Sequence, residues 1–137
     1  MIEDHLRVRV GQEDIHYGSG VAAGAYVLQL FGDLAGVLSI LHDGDGGLLA
    51  GYDRVDFMEP VHAGDLLHVT GRLIRVGDTS RSYEFECVKV LTQHGIGDFP
   101  SSGDVLDPPV PVARATATVV VRREKMRRKD PQGARLE

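Results

Sequence analysis

One long apolar segment, residues 21–42, constrains the fold of this chain more than any other feature. Its hydrophobic residues fall on every side of a predicted helix, and such a helix has to be covered by other structure. The segment has about the length that spans a bilayer. However, it contains Gln29 and Asp33, and an ionised carboxylate is costly inside lipid. The segment therefore predicts one long buried helix, with Ser19 as its N-cap, and no membrane span.

Other segments have the alternating or β-branched composition of strands, one before the helix and four after it. They are residues 5–10, 48–58, 65–76, 80–91 and 112–122. Residues 92–111 are rich in Gly, Pro, Ser and Asp, which predicts a long loop, and loops of this length are usually functional. The end of the chain, residues 123–137, is predicted to be a charged tail.

This order of elements predicts an α+β fold, because a helix that is apolar on every side needs a sheet curled around it. The predicted architecture is the hot-dog fold, an antiparallel sheet of about five strands wrapped around one long central helix. A chain of 137 residues has room for one good core, so we place a single domain at residues 1–122. One small sheet leaves part of the helix uncovered, so we expect a homodimer or a higher oligomer such as a hexamer.

Composition argues against several classes of protein. The net charge of −5 disfavours a nucleic-acid partner, which would require a basic face to neutralise phosphates. The single cysteine, Cys87, excludes an intramolecular disulfide and fits a reducing compartment. Residues 1–10 lack a signal-peptide core, and the six histidines show no metal-ligand spacing. We therefore expect a cytoplasmic protein without a metal site.

The predicted helix carries one lane of polar side chains. Tyr26, Gln29 and Asp33 follow one another at intervals of three and four residues, which places them on one stripe. Two interpretations of Asp33 are open. It can be an ordinary acid that is hydrogen-bonded or faces solvent. It can also mark a functional site, because burying an unpaired carboxylate is costly and such groups tend to be kept for function. We take Asp33 as a candidate catalytic acid, and Tyr26 and Gln29 as candidate substrate-binding residues.

The strand at residues 48–58 provides a second candidate acid. Strict alternation puts Asp53 on the apolar side with Phe57, and puts Tyr52 on the opposite side. A slipped register, a β-bulge or a pair with a basic residue also explains an acid at this position. We keep Asp53 as a candidate catalytic residue that points toward the core.

The third candidate is His16, two residues before Gly18, where a glycine-rich break precedes the helix. A histidine can donate a hydrogen bond or accept a proton near neutral pH, although a lone histidine is more often structural. The helix start offers free backbone N–H groups and the positive end of the helix dipole. Such donors suit a thioester carbonyl, which gains negative charge when the α-proton is removed.

Three runs, residues 14–24, 55–65 and 76–80, resemble the hot-dog acyl-CoA thioesterases. Within that superfamily the chain is most similar to the ammonia-lyases that act on 3-aminobutyryl-CoA in lysine fermentation. The residues that carry this similarity are His16-Tyr-Gly18, Leu28-Gln-Leu-Phe-Gly-Asp33, Tyr52-Asp53, Thr79-Ser-Arg81, Asp104-Val-Leu106, Arg114-Ala-Thr116 and Arg123-Glu-Lys125.

The chain also departs from the thioesterases. His16 stands where those enzymes have an asparagine, and Phe31 stands where they have the helical aspartate. Gln29 occupies roughly the place of the helical glutamate in hot-dog hydroxyacyl dehydratases. These differences put hydrolysis in doubt and leave elimination at the β-carbon open.

The resemblance implies elimination of ammonia from a 3-aminoacyl-CoA such as 3-aminobutyryl-CoA, which gives an enoyl-CoA such as crotonyl-CoA. Asp33 or Asp53 would supply the base and the anchor for the ammonium group, with His16 moving protons. No cofactor beyond the coenzyme A of the substrate is expected.

Further residues are candidates for binding the acyl-CoA. Gly24 lies near the predicted helix start, and Arg81 and Arg75 could meet the phosphates of coenzyme A, although both also fit as ordinary solvated strand charges. Two alternatives to the lyase remain. One is an acyl-CoA thioesterase, in which a carboxylate activates water, and the other is a non-catalytic module that binds acyl-CoA.

Overall fold

The computed structural model describes residues 2–127 and contains one long helix and seven strands. In chain order the elements are β1 (Glu3–Arg9), β2 (Val21–Ala22), α1 (Gly24–Asp43), β3 (Leu48–Phe57), β4 (Val61–His62), β5 (Leu66–Val76), β6 (Ser80–Gln93) and β7 (Gly103–Val120). Short 3₁₀ turns occur at Gln12–Asp14, Gly18–Gly20 and Arg123–Lys125.

The main sheet has five antiparallel strands in the order β1-β5-β6-β7-β3, so β1 and β3 form its two edges. The predicted hot-dog architecture is therefore confirmed. The sequence did not indicate the small second sheet, in which β2 pairs with β4.

The core lies between the inner face of α1 and the sheet. Phe31 of the helix stacks on Phe85 of β6 with ring centroids 5.2 Å apart, and Leu34 and Leu38 are buried beside them. Each such side chain contributes about 1.5–3 kcal/mol when fully buried. By length and composition alone α1 could cross a membrane, but its inner face builds the core of this domain.

The helix starts later than the sequence indicated. Residues 21–22 form β2, Ala23 is the N-cap without a side-chain hydrogen bond, and Ser19 lies in a 3₁₀ turn with a φ of 70°. The prediction that Ser19 caps the helix is therefore wrong, because pairing with β4 draws the chain into a strand first. At the other end Gly44 adopts the left-handed conformation, with a φ of 75°, that terminates many helices.

The predicted long loop is mostly strand. β6 continues to Gln93 and pairs with Gly103 of β7, so the connection comprises only residues 94–102. The prolines Pro108, Pro109 and Pro111 misled the prediction. They lie where β7 has β6 on one side only, since β3 pairs with β7 from Ala113 onward, and prolines are tolerated at such an edge.

The domain also extends past its predicted end at residue 122. The backbone N–H of Arg127 donates to the carbonyl of Asp43, the last residue of α1, at 2.8 Å. Residues 123–127 of the predicted tail are thus attached to the domain, and the rest of that tail lies outside the described residues.

Candidate active site

The sheet leaves one face of α1 open, and the predicted polar lane lies on it. Gln29 and Asp33 are exposed there, and Val37, Ile40 and Leu41 continue the same face toward the end of the helix. Within residues 2–127, the side chain of Asp33 makes no hydrogen bond or ion pair. The structure therefore presents a carboxylate without a fixed partner on an otherwise mostly apolar helix face.

Tyr26 lies at the border of this open face. It is half-buried and packs against the core, unlike the exposed Gln29 one turn later. Burial raises the pKa of Tyr26, and the negative charge of Asp14 adds to the effect. The Tyr26 side chain therefore contributes to core packing, whereas its position in the predicted polar lane had suggested a substrate-binding residue.

The start of α1 is closely packed and has free donors. A Cβ on Gly24 would lie 2.9 Å from Cζ of Phe57, so the strand side chain sits directly against the helix start. Since Ala23 provides no side-chain cap, the first backbone N–H groups can bind another acceptor. Asp33 comes nine residues after Gly24, about 14 Å along the helix axis.

Tyr52 is the site residue that sequence reasoning missed. Its hydroxyl donates to the carbonyl oxygen of Leu28 at 2.7 Å, and a Cβ on Gly32 would lie 3.7 Å from that hydroxyl. Burial raises the pKa of Tyr52, and the charge of Asp33 adds to the effect. Tyr52 therefore faces the helix beside Asp33, opposite to its predicted orientation.

The prediction that Asp53 points toward the core is wrong. The register of β3 against β7 shifts between Leu49 and Gly51 and again between Tyr52 and Arg54, which breaks strict alternation at Asp53. Asp53 is exposed and accepts a hydrogen bond from the Thr118 hydroxyl at 3.3 Å. Thr118 alternates with the buried residues of β7, so Asp53 lies on the sheet face away from α1.

His16 is exposed and lies near the helix start. The residue before it, Ile15, forms a β-bridge with Ala22, and Ala22 directly precedes the N-cap residue Ala23. The structure thus places His16 at the predicted entrance of the helix. The distance from the helix start to Asp33 argues against a direct contact between His16 and Asp33 in one protomer, so convergence of these two residues stays a prediction for the assembly. Asp53 faces away from α1 and does not join Asp33.

The two candidate phosphate ligands differ in their surroundings. Arg81 is buried, and its Nε and Nη2 atoms each lie 2.9 Å from a carboxylate oxygen of the equally buried Asp43. This enclosed pair contradicts the predicted role of Arg81 in binding phosphates. Arg75, near the end of β5, is exposed and still suits that role.

Comparison with known proteins agrees with this architecture. The chain belongs to the Thioesterase superfamily, whose family model matches residues 19–90. It is 47% identical, over 90% of its length and 97% of the relative's, to the 3-aminobutyryl-CoA ammonia lyase of Acetoanaerobium sticklandii.

Solved structures point the same way. The β-alanyl-CoA:ammonia lyase of Clostridium propionicum superposes with a TM-score of 0.88 at 26% identity, covering 96% of this chain and 92% of that one. A hexameric hotdog-fold thioesterase of Campylobacter jejuni shares the fold, with a TM-score of 0.67, 23% identity, and coverage of 88% of this chain and 84% of that one. The resemblance to the ammonia-lyases is therefore confirmed.

Proposed function

We propose that the protein is an acyl-CoA ammonia-lyase that eliminates ammonia from a 3-aminoacyl-CoA, with 3-aminobutyryl-CoA as the substrate and crotonyl-CoA as the product. The observation that carries this proposal is the Asp33 carboxylate, which stands without a fixed partner on the open face of α1. The relatives that match nearly the whole chain, at 47% and 26% identity, are ammonia lyases that act on CoA thioesters.

The spacing of the polar lane suits this substrate. Gln29 precedes Asp33 by four residues, about 6 Å along the helix. Side chains at this spacing lie on the same helix face, and the thioester oxygen and the 3-amino nitrogen, separated by four bonds, are close enough for both to be reached. The amide N–H of Gln29 therefore donates to the thioester oxygen, while Asp33 lies beside the α- and β-carbons.

The chemistry then requires one base. Asp33 removes the α-proton, the electrons of that C–H bond form the new double bond, and the C–N bond breaks. The amino group is bound as ammonium, so its nitrogen keeps the C–N electron pair and leaves as neutral ammonia. Protonated Asp33 next gives its proton to the ammonia, which releases ammonium and regenerates the carboxylate.

The decisive experiment is the reverse addition of ammonium to crotonyl-CoA, followed by loss of the enoyl absorbance and by mass of the adduct. Asp33→Asn should lower the rate by about 10²–10⁴-fold, because it removes the general base. Asp53→Asn is the matched control, an exposed acid on the other sheet face, and should stay close to wild type. Equal rates in wild type and Asp33→Asn would contradict the mechanism, and release of free coenzyme A would favour a thioesterase.

The same proposal covers the setting of the enzyme. It acts in the cytoplasm in lysine degradation, as a homodimer or a hexamer, with no metal or cofactor beyond the coenzyme A of its substrate. The apolar residues exposed on α1 and the hexameric thioesterase of the same fold support the assembly. Unchanged activity after dialysis against a chelator is the expected result for the absence of a metal.

A further inference from the structure

Tyr52 is the side chain through which β3 hydrogen-bonds to the central helix. Its hydroxyl donates to the Leu28 carbonyl at 2.7 Å, and in an α-helix that carbonyl also accepts the backbone N–H of Gly32. Gly32 directly precedes Asp33 in the sequence. The hydrogen bond therefore fixes the helical turn that ends at the proposed base.

The local shape of β3 makes this contact possible. Register shifts flank Tyr52, between Leu49 and Gly51 on one side and between Tyr52 and Arg54 on the other. Tyr52 pairs with Ala117, a buried residue whose side chain faces the helix, so the phenol ring is directed to α1. Gly32 leaves room for the hydroxyl, since even a Cβ there would be 3.7 Å away.

The ionisation state of Tyr52 fits a structural donor next to an acid. Burial raises the pKa of its phenol above the ordinary value, and the charge of Asp33 raises it further. The hydroxyl thus stays protonated near neutral pH. It keeps its hydrogen bond to Leu28 and adds no second negative charge beside Asp33.

We propose that Tyr52 is a positioning residue for the elimination, which holds Asp33 at the correct distance from the substrate by tying the 28–32 turn of α1 to β3. The inference rests on the proposed function, because Asp33 must act as the base for its placement to matter. Misplacement of a catalytic group by about 1 Å can lower a rate by roughly 10²-fold. We therefore expect Tyr52 to affect kcat and to leave binding of the CoA ester unchanged.

The test compares Tyr52→Phe, which keeps the ring and removes the hydroxyl, with Tyr83→Phe. Tyr83 is also a tyrosine on the sheet, fully buried where Tyr52 is half-buried. It lies near Asp43 at the far end of the helix, and its pKa is raised to about 12 by burial. Ammonium addition to crotonyl-CoA provides kcat and KM, and calorimetric titration with crotonyl-CoA provides a dissociation constant that is independent of turnover. Circular dichroism identifies a temperature at which every variant is folded.

The expected result is a kcat lowered by about 10- to 100-fold in Tyr52→Phe, with KM and the dissociation constant within twofold of wild type and no such loss in Tyr83→Phe. A kcat of Tyr52→Phe within twofold of wild type would overturn the positioning role, and so would an equally large change in KM. If the wild-type protein itself forms no amine adduct, the proposed function fails, and that outcome is distinct from a fully active Tyr52→Phe.

Discussion

Replacing Arg81 with methionine should destabilise the fold by about 3–5 kcal/mol, because it leaves the buried Asp43 carboxylate without its guanidinium partner and with His42 as its remaining contact. Arg81 donates through Nε and Nη2 to both carboxylate oxygens of Asp43, each at 2.9 Å. Its Nη1 also donates to the carbonyls of Gly77 and Ser80, at 2.9 and 3.1 Å. Methionine fills much of the same volume, so the loss reports on charge and hydrogen bonds more than on a cavity.

Two further variants separate the causes. Arg72→Met is the matched control, because Arg72 pairs with Glu84 at 2.8 Å on the surface, where an ion pair contributes about 0–1 kcal/mol. The double variant Asp43→Asn with Arg81→Met removes both buried charges. It should be more stable than Arg81→Met alone, since no uncompensated charge remains in the interior.

The assay is urea unfolding followed by circular dichroism, with the protomer concentration held constant because oligomers unfold in a concentration-dependent way. KM for the CoA ester is measured in parallel on the folded variants and should not change in Arg81→Met. The reasoning is refuted if Arg81→Met loses no more free energy of unfolding than Arg72→Met does. A raised KM in folded Arg81→Met would restore the phosphate-binding role that the burial of Arg81 contradicts.

Three shorter predictions concern the helix start, the cysteine and acid stability. Gly24→Ala should change the free energy of unfolding, measured in urea, by less than about 1 kcal/mol, because the half-exposed Phe57 ring can move away from the new methyl group. The same variant should raise KM for the CoA ester. An unchanged KM would show that Gly24 is not a substrate-binding residue. Burial raises the pKa of Cys87 to about 12, so a thiol reagent at pH 8 should label it only after unfolding, and rapid labelling of native protein would contradict this. Burial alone would raise the pKa of Asp43, but hydrogen bonds from Arg81 and His42 outweigh it and lower the pKa. The Asp43 carboxylate therefore stabilises the fold above its unfolded-state pKa of about 3.9 and loses this effect as the pH falls through the folded-state value. Urea titrations should accordingly show a flatter acid dependence in Asp43→Asn, and an unchanged slope would contradict this account.

Local periodicity was sufficient for the helix and the main strands, because their apolar spacing directly reflects which side is buried. Local periodicity failed where the secondary structure of a segment is determined by pairing with residues that are distant in the sequence. Residues 21–22 look helical by composition, but they pair with residues 61–62 and extend. Residues 103–111 look like a loop because of their prolines, but they pair with β6 at an edge that tolerates proline.

The residues of the candidate site also differ in how well the sequence predicted them. The spacing of Gln29 and Asp33 is a helical property, so the sequence correctly predicted that both lie on one stripe of α1, although it did not indicate that this stripe is exposed. The orientations of Tyr52 and Asp53 depend on register shifts between β3 and β7. The sequence left a slipped register or a β-bulge open as an alternative at Asp53, and Gly51, next to the first shift, is a local signal for it. Arg81 became a phosphate candidate because its buried partner lies 38 residues earlier in the chain and is not evident from sequence.

The open face of α1 leads to a prediction about assembly. Ile40 is 53% exposed and lies with Val37 and Leu41 beyond the reach of the protomer's own sheet. A helix this apolar requires a cover on that face, and we expect a second protomer to provide it. Ile40→Glu puts a charge into that contact and should dissociate the assembly.

Ile96→Glu is the matched control, since Ile96 is 51% exposed but lies in the 94–102 connection. Sedimentation velocity at micromolar concentration should show smaller particles for Ile40→Glu and an unchanged assembly for Ile96→Glu. Because Ile40 follows Asp33 by seven residues, both lie on one helix face, and a protomer that covers Ile40 also shields the base from water. The lyase rate should therefore fall in Ile40→Glu as the assembly is lost, and a folded wild-type monomer with full activity would refute the link between assembly and catalysis.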